Sequence, residues 1–357
     1  MIWDWTPETL GRLEDFLSAR GITQGPVTAK RIGDGHSNLT FLVSDLTRKV
    51  VVRRPPPPPV PRGAHDMLRE AHLIAALEGT DVPVAKVLAT GQAGEVLDVP
   101  FYVMSYIAGP VVTTRTPEAL SAPEDRRRIG ESMVDTLAAL HAVDWRAAGL
   151  EDMGRPDGFN GRHLRRMGRL VADVDGTPPG PFATINAWLA AHVPPESGAA
   201  IIHNDYRLGN VILGDDAPGR IVAVLDWELA TIGDPLFDLG YFLSSYPVSG
   251  ASRTPTEELG TATLEEGYPT RDELAARYAA DTGADLTNLS WYTALALWKL
   301  AVLYEYGRRR AARGVGDQYY EDPALVESFL AAAHLAADLA APNGTSLSAR
   351  GRASSRG

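Results

Sequence analysis

Residues 201–238 constrain this chain more than any other stretch. They read IIHNDYRLGNVIL, a short turn, and then IVAVLDWELATIGDPLFD. Two apolar strands are predicted, Ile201–Ile202 and Val222–Leu225, and each runs into a polar cluster. The first cluster holds His203, Asp205 and Asn210, the second Asp226 and Glu228. An H-x-D-x-x-x-x-N segment followed sixteen residues later by an acidic pair is what phosphoryl transfer requires. Asp205 can accept the proton of an attacking hydroxyl. Asn210 and Asp226 offer the hard oxygens that Mg²⁺ prefers. Any one Asp or Asn after a strand is an ordinary turn former or cap. The signal lies in the ordered set, extended by Gly233-Asp234-Pro235 and Asp238.

The segment resembles the aminoglycoside phosphotransferase family, small-molecule kinases with a protein-kinase-like fold. HNDYRLGN is similar to that family's catalytic loop, and LDWELATIGDPLFDLGY to its metal-binding strand and following loop. The likeness is nearest to kinase-like domains attached to, or encoded near, certain acyl-CoA dehydrogenases. It runs across roughly residues 25–335 and is specific at the motifs. It implies a two-lobed α+β fold, with a small antiparallel-sheet N-lobe carrying one helix and a larger, mainly helical C-lobe. The expected division is a nucleotide-binding N-lobe over residues 1–108, a catalytic and acceptor-binding C-lobe over 109–340, and a disordered tail over 341–357. It also implies ATP, Mg²⁺ and a small-molecule acceptor that offers a hydroxyl.

Composition narrows the alternatives. A length of 357 residues suits two lobes. With no cysteine, there is no disulfide, zinc–thiolate site or thiol nucleophile. A net charge of −11 argues against broad binding to nucleic acid or a membrane surface. No run reaches the apolar length of a membrane span, and the start has no basic, apolar leader pattern. A cytoplasmic protein is the expectation.

The N-terminal third reads as a sheet. Thr6-Pro7 opens a helix that Gly21 closes. VTAKRIG, NLTFLVS, KVVVRRP, VPVAKVLATG and GEVLDVPFYVMSYI read as five strands. Pro55–Pro59 is a stiff connector, and Ala64–Leu77 a helix. Gly109-Pro110 marks the lobe boundary. Beyond it the pattern turns helical, with Ser121-Ala-Pro-Glu124 as a capping box. Further helices are expected at 181–191, 271–281, 291–310 and 322–339.

The remaining parts of a kinase are then sought by position. Gly33, Gly35, Ser37 and Asn38 lie between the first two strands, where a phosphate-covering loop belongs; an ordinary hairpin turn would look similar. Arg53 stands where the resemblance expects a lysine, and arginine can grip phosphate bidentately. Glu70 shares an apolar helix stripe with Leu73, Ile74 and Leu77, so it needs a partner, and Arg53 is the candidate. By resemblance, Met104 and Tyr106 belong to the adenine-binding hinge. His203 is expected to support the catalytic loop. Arg207 either neutralises a ligand phosphate or pairs with a neighbouring Asp. Glu228 is a further metal-facing carboxylate, reaching through water. His141 reads as a packed helix-end residue.

The acceptor wall is sought on the apolar helix bearing Trp291, Trp298, Lys299, Tyr304, Tyr306 and Arg308–Arg310. Aromatics with cations suit an acyl-CoA-type ligand carrying a hydroxyl. Core packing of the aromatics and a helix C-terminus drawing cations to its dipole is the plainer account. An aminoglycoside or other antibiotic is the alternative acceptor. A catalytically silent nucleotide-binding pseudokinase is the alternative of another class.

Overall fold

The structure is a computed structural model, and it describes residues 5–33, 38–56, 65–173, 176–215, 218–314 and 317–340. The chain opens with helix α1 (Pro7–Ala19), capped by Thr6 and started by Pro7. Strands β1 (Thr28–Ile32), β2 (Leu39–Ser44) and β3 (Lys49–Arg54) follow. Helix α2 (Met67–Leu77) then leads to β4 (Val87–Gly91) and β5 (Phe101–Ser105). The five strands form one antiparallel sheet in the order β1-β2-β3-β5-β4. Alternation along β3 divides its side chains between two cores. Val50 and Val52 face α1, packing with Leu13, Phe16 and Leu17. Val51 faces α2, and Arg53 shares its side of the sheet, as the period of two requires.

Beyond β5 the chain passes through Gly109-Pro110 on its way to the helices. Gly109 sits at φ 149°, and a Cβ there would lie 2.0 Å from the Leu213 carbonyl oxygen, so only glycine fits. Helices α3 (Pro123–Ala142), α4 (Phe159–Val171) and α5 (Gly180–Ala191) follow. Short strands come next: β6 (Ala200–Ile202), β7 (Val211–Leu213), β8 (Ile221–Val224) and β9 (Thr231–Gly233). They make two antiparallel pairs, the hairpin β7 with β8 and, enclosing it in sequence, β6 with β9. Helix α6 (Pro235–Ser244) is buried along its length after Pro235. The lobe closes with α7 (Pro255–Glu258), α8 (Arg271–Thr282), α9 (Leu289–Ala311) and α10 (Pro323–Ala340). Helix α9 runs through the lobe's centre, with Trp291 and Trp298 buried. None of the described helices is long and apolar enough to cross a membrane.

Several expectations need correction. Helix α3 is not capped by Ser121: Pro123 takes the first helical position, so Ala122 is the cap residue, without a side-chain bond. Helices α4 and α6 and strands β7 and β9 were not foreseen. Strands of three residues are too short to show a period. Gly35, Ser37, most of the proline connector and the tail 341–357 lie outside the described residues.

Candidate active site

The site is built from two strand ends and one buried helix. Chain leaving β6 passes through His203 and Asn204, whose backbone N–H groups donate to the two oxygens of Asp238 at 2.5 and 2.7 Å. Asp238 is fully buried on the first turn of α6, where the helix dipole favours a carboxylate. Asn204 takes φ 71°, one of the few left-handed non-glycine residues. His203 is the next fastener. Its Nε2–H donates to the Leu225 carbonyl at 2.7 Å, and its Nδ1 accepts from the Asp205 N–H at 3.2 Å. This network assigns the neutral tautomer protonated at Nε2. His203 thus ties the loop to the carbonyl of Leu225.

Both oxygens of the Asp205 carboxylate are held. Oδ1 accepts from the Tyr241 hydroxyl at 2.5 Å, and Oδ2 from Asn210 Nδ2 at 2.9 Å. Because Asn210 spends its Nδ2 on Asp205, its side-chain oxygen is left for a cation. Leu225 joins the two strand ends: its N–H donates to the Asn210 carbonyl at 2.8 Å while its own carbonyl takes His203. One residue later, Asp226 turns through φ 66°, ψ 60°, a left-handed conformation that aspartate adopts more readily than most non-glycine residues.

Arg53 crosses from the sheet to meet Asp226, to which it donates a hydrogen bond. The same guanidinium lies 3.5 Å from Glu70 and 3.8 Å from Glu228. One arginine thus faces three carboxylates. Burial works against its charge, but Glu70, Tyr102 and Asp226 more than offset that and raise its pKa. Burial pushes the Glu70 carboxyl up to about 7, although Arg53 pulls it back. Asn38 closes the cluster: its Nδ2 donates to Glu228 at 2.7 Å, and its Oδ1 meets His65 Nδ1 at 2.8 Å. Its side-chain amide is thereby committed to the protein.

Gly33 ends β1 at φ 76°, where glycine is at home. Met104 is buried at the end of β5, and Tyr106 beyond it is exposed. Arg207 lies 3.7 Å from Asp205, which favours the Asp-pairing alternative. His141 is packed between Tyr278 and Asp238. The acceptor wall is not assembled as expected. Lys299 is buried and bonded to Asn204, while Arg308 and Arg309 both bind Glu305 at 2.7–2.9 Å. Trp291 and Trp298 are core residues. The sequence reading passed over Tyr241 and Asn204. Tyr241 lies three residues beyond Asp238, a spacing that puts both on one helix face.

Among the described residues, no three His, Cys, Asp or Glu side chains converge as a metal cage. Mg²⁺ takes one or two hard protein oxygens and completes its shell with phosphate and water. Asn210 and Asp226 are the oxygen donors at hand. A separate cleft of about 600 Å³ lies between Thr80–Pro83, α3 and Gly219–Ile221. Its carboxylates Glu131 and Asp135 are paired with Arg127 and Arg277, and none of the residues above line it.

Comparison with known proteins fits this geometry. The family model described as "Phosphotransferase enzyme family" (APH) matches residues 28–292. The chain belongs to this family. The APH chain is 31% identical over 335 residues to acyl-CoA dehydrogenase family member 11 of Gallus gallus, covering 89% of this chain and 42% of that protein. With acyl-CoA dehydrogenase family member 10 of Mus musculus it shares 27% identity, covering 81% of this chain and 27% of that protein. The chain thus spans less than half the length of these relatives. Among solved structures, one from Ralstonia eutropha JMP134, assigned to the aminoglycoside phosphotransferases, superposes with a TM-score of 0.75 at 27% identity. That match covers 92% of this chain and 97% of the other. Aminoglycoside 2'-phosphotransferase-IIIa, solved as its GDP complex, matches in fold with a TM-score of 0.60 at 18% identity, covering 91% and 99%. The APH chain therefore has the two-lobed, kinase-like α+β fold.

Proposed function

We propose that the chain transfers the γ-phosphate of ATP to a hydroxyl of a small molecule. The observation carrying this reading is the join at Leu225, which brings the loop of Asp205 and Asn210 against the segment of Asp226. Asp205 takes the hydroxyl proton as the acceptor oxygen bonds to the γ-phosphorus. The phosphorus–oxygen bond to ADP breaks, and ADP leaves with the electron pair. Arg53, oriented by Glu70, holds the α- and β-phosphates. Mg²⁺ held by Asn210 and Asp226, with Glu228 nearby, supplies charge neutralisation to the phosphates. The backbone at Met104–Tyr106 receives adenine. In such transfers positioning and electrostatics do most of the work.

For the acceptor, the reading is a hydroxyacyl-CoA-type metabolite. Similarity to acyl-CoA dehydrogenase family members 10 and 11 supports it. The end of α9 adds a second argument against an aminoglycoside: its one buried carboxylate, Glu305, is already neutralised by Arg308 and Arg309. A cationic antibiotic needs unspent carboxylates.

The test is an ATP-consumption screen with hydroxyacyl-CoAs, aminoglycosides, macrolides, choline and homoserine side by side. Turnover with a hydroxyacyl-CoA, abolished by Asp226→Ala, is the expected result. Turnover of an aminoglycoside alone overturns the acceptor and leaves the kinase reading standing. ATP binding without turnover of any acceptor points to a pseudokinase.

A further inference from the structure

Lys299 sits in the middle of α9 with only 3% of its surface exposed. Isolated buried lysines are costly, so its surroundings must answer for the charge. Its Nζ donates to the backbone carbonyl of Asn204 at 2.5 Å and to the side-chain oxygen of the same residue at 2.8 Å. The ammonium also lies over the rings of Tyr241, 4.9 Å away, and Phe237, 5.3 Å away. Asp205 and Asp238 face it as counter-charges, while Arg166 opposes it. His163, also on α4, packs against the same Phe237 ring.

The position of those contacts matters. The carbonyl of Asn204 and the N–H of Asp205 belong to one peptide group. Lys299 holds the carbonyl end, and His203 Nδ1 holds the N–H end at 3.2 Å. A peptide plane gripped at both ends sets the direction in which the Asp205 side chain leaves the backbone. Tyr241 then holds the far end of that side chain, donating to Oδ1 at 2.5 Å. Without that hydroxyl, the cation nearest to Oδ1 is Arg207, 3.7 Å away, and the carboxylate would turn toward it.

We propose that Lys299 and Tyr241 are positioning residues for Asp205, Lys299 by clamping the Asn204–Asp205 peptide and Tyr241 by fixing the carboxylate. The proposal rests on the phosphotransferase reading, in which Asp205 receives the acceptor's proton. It uses a residue 95 positions away in sequence, on a helix that contributes nothing else to the loop's hydrogen bonds described above.

Because the acceptor is unidentified, the assay uses water in its place: release of ADP from MgATP, followed in a coupled assay. Lys299→Met and Tyr241→Phe are each expected to lower kcat about 10- to 100-fold with little change in KM for ATP, as for a misplaced reacting group. Neither substitution should weaken binding of Mg·AMP-PNP measured by calorimetry. In an Asp205→Ala background both should have no further effect, because there is no carboxylate left to position. Amide hydrogen exchange at Asp205 should quicken in Lys299→Met and stay unchanged in Tyr241→Phe, whose bond is to the side chain. The proposal is overturned if kcat stays within about threefold of the parent. An equal loss of rate in the Asp205→Ala background overturns it too, since that marks a merely structural role. If the parent protein neither binds Mg·AMP-PNP nor releases ADP, the phosphotransferase reading fails. Exchange at Asp205 then decides the clamp, and an unchanged rate in Lys299→Met refutes it.

Discussion

Asp238→Ala should be among the most damaging single substitutions in this chain. Asp238 has no exposed surface, and its two oxygens accept the backbone N–H groups of His203 and Asn204 at 2.5 and 2.7 Å. Hydrogen bonds to a charged acceptor contribute roughly 1.5–3 kcal/mol each, and their loss leaves two buried donors unpaired. Removing both should therefore cost about 3–6 kcal/mol, a large share of the 5–15 kcal/mol typical of a folded domain. Asn204 has a further reason to move, since its left-handed φ of 71° persists only while its surroundings hold it. Asp238→Asn keeps one acceptor oxygen and turns an NH₂ group toward the other amide, so it should cost about half as much. The assay is urea unfolding of the parent and both variants, with amide exchange read at residues 203 and 204. The expected order is parent, Asn, Ala. A loss under about 1 kcal/mol for Asp238→Ala, with exchange at 203 and 204 unchanged, would show that the loop does not depend on this carboxylate.

Burial raises the Glu70 carboxyl from 4.5 to about 7, so between those values the folded state keeps a proton that the unfolded chain has released; stability falls as pH rises through that window, by an amount on the order of 3 kcal/mol. Glu70→Gln should flatten this slope in denaturation curves taken from pH 5 to 8, because glutamine has no proton to release, while Arg53 keeps Asp226 and Glu228 as partners; an unchanged slope contradicts the assignment. Arg308→Ala combined with Arg309→Ala should alter KM for ATP and for any acceptor by less than about twofold, since both arginines are occupied by Glu305; a selective rise in acceptor KM would restore them to the acceptor wall. Gly109→Ala should lower the melting temperature by the equivalent of about 3 kcal/mol or more, because its Cβ would meet the Leu213 carbonyl at a φ only glycine adopts freely; a melting temperature equal to the parent's would contradict the close approach.

What the sequence determined by itself was whatever repeats over a few residues. The β-branched run Val50–Val52 specified a strand whose period of two puts Arg53 and Val51 on one side, and the structure agrees. The stripe of Leu73, Ile74 and Leu77 put Glu70 on the buried face of α2. Turn and helix-start signals marked the five strands and most helices, because backbone preference is local. Polar partners were legible only where both lay in the motif or faced each other across a predicted element, as Arg53 and Glu70 do. Tertiary structure decided the rest. It sent Lys299 beneath the loop at Asn204 and left Arg308 and Arg309 to Glu305, so cations that looked alike along α9 have different work. It covered the outer face of the sheet with α1 and forced Asn204 and Asp226 into left-handed turns. The physical reason is the same in each case. A buried charge or an unpaired backbone group is costly until something satisfies it, and what satisfies it is whichever group the packing brings across, however distant in the chain.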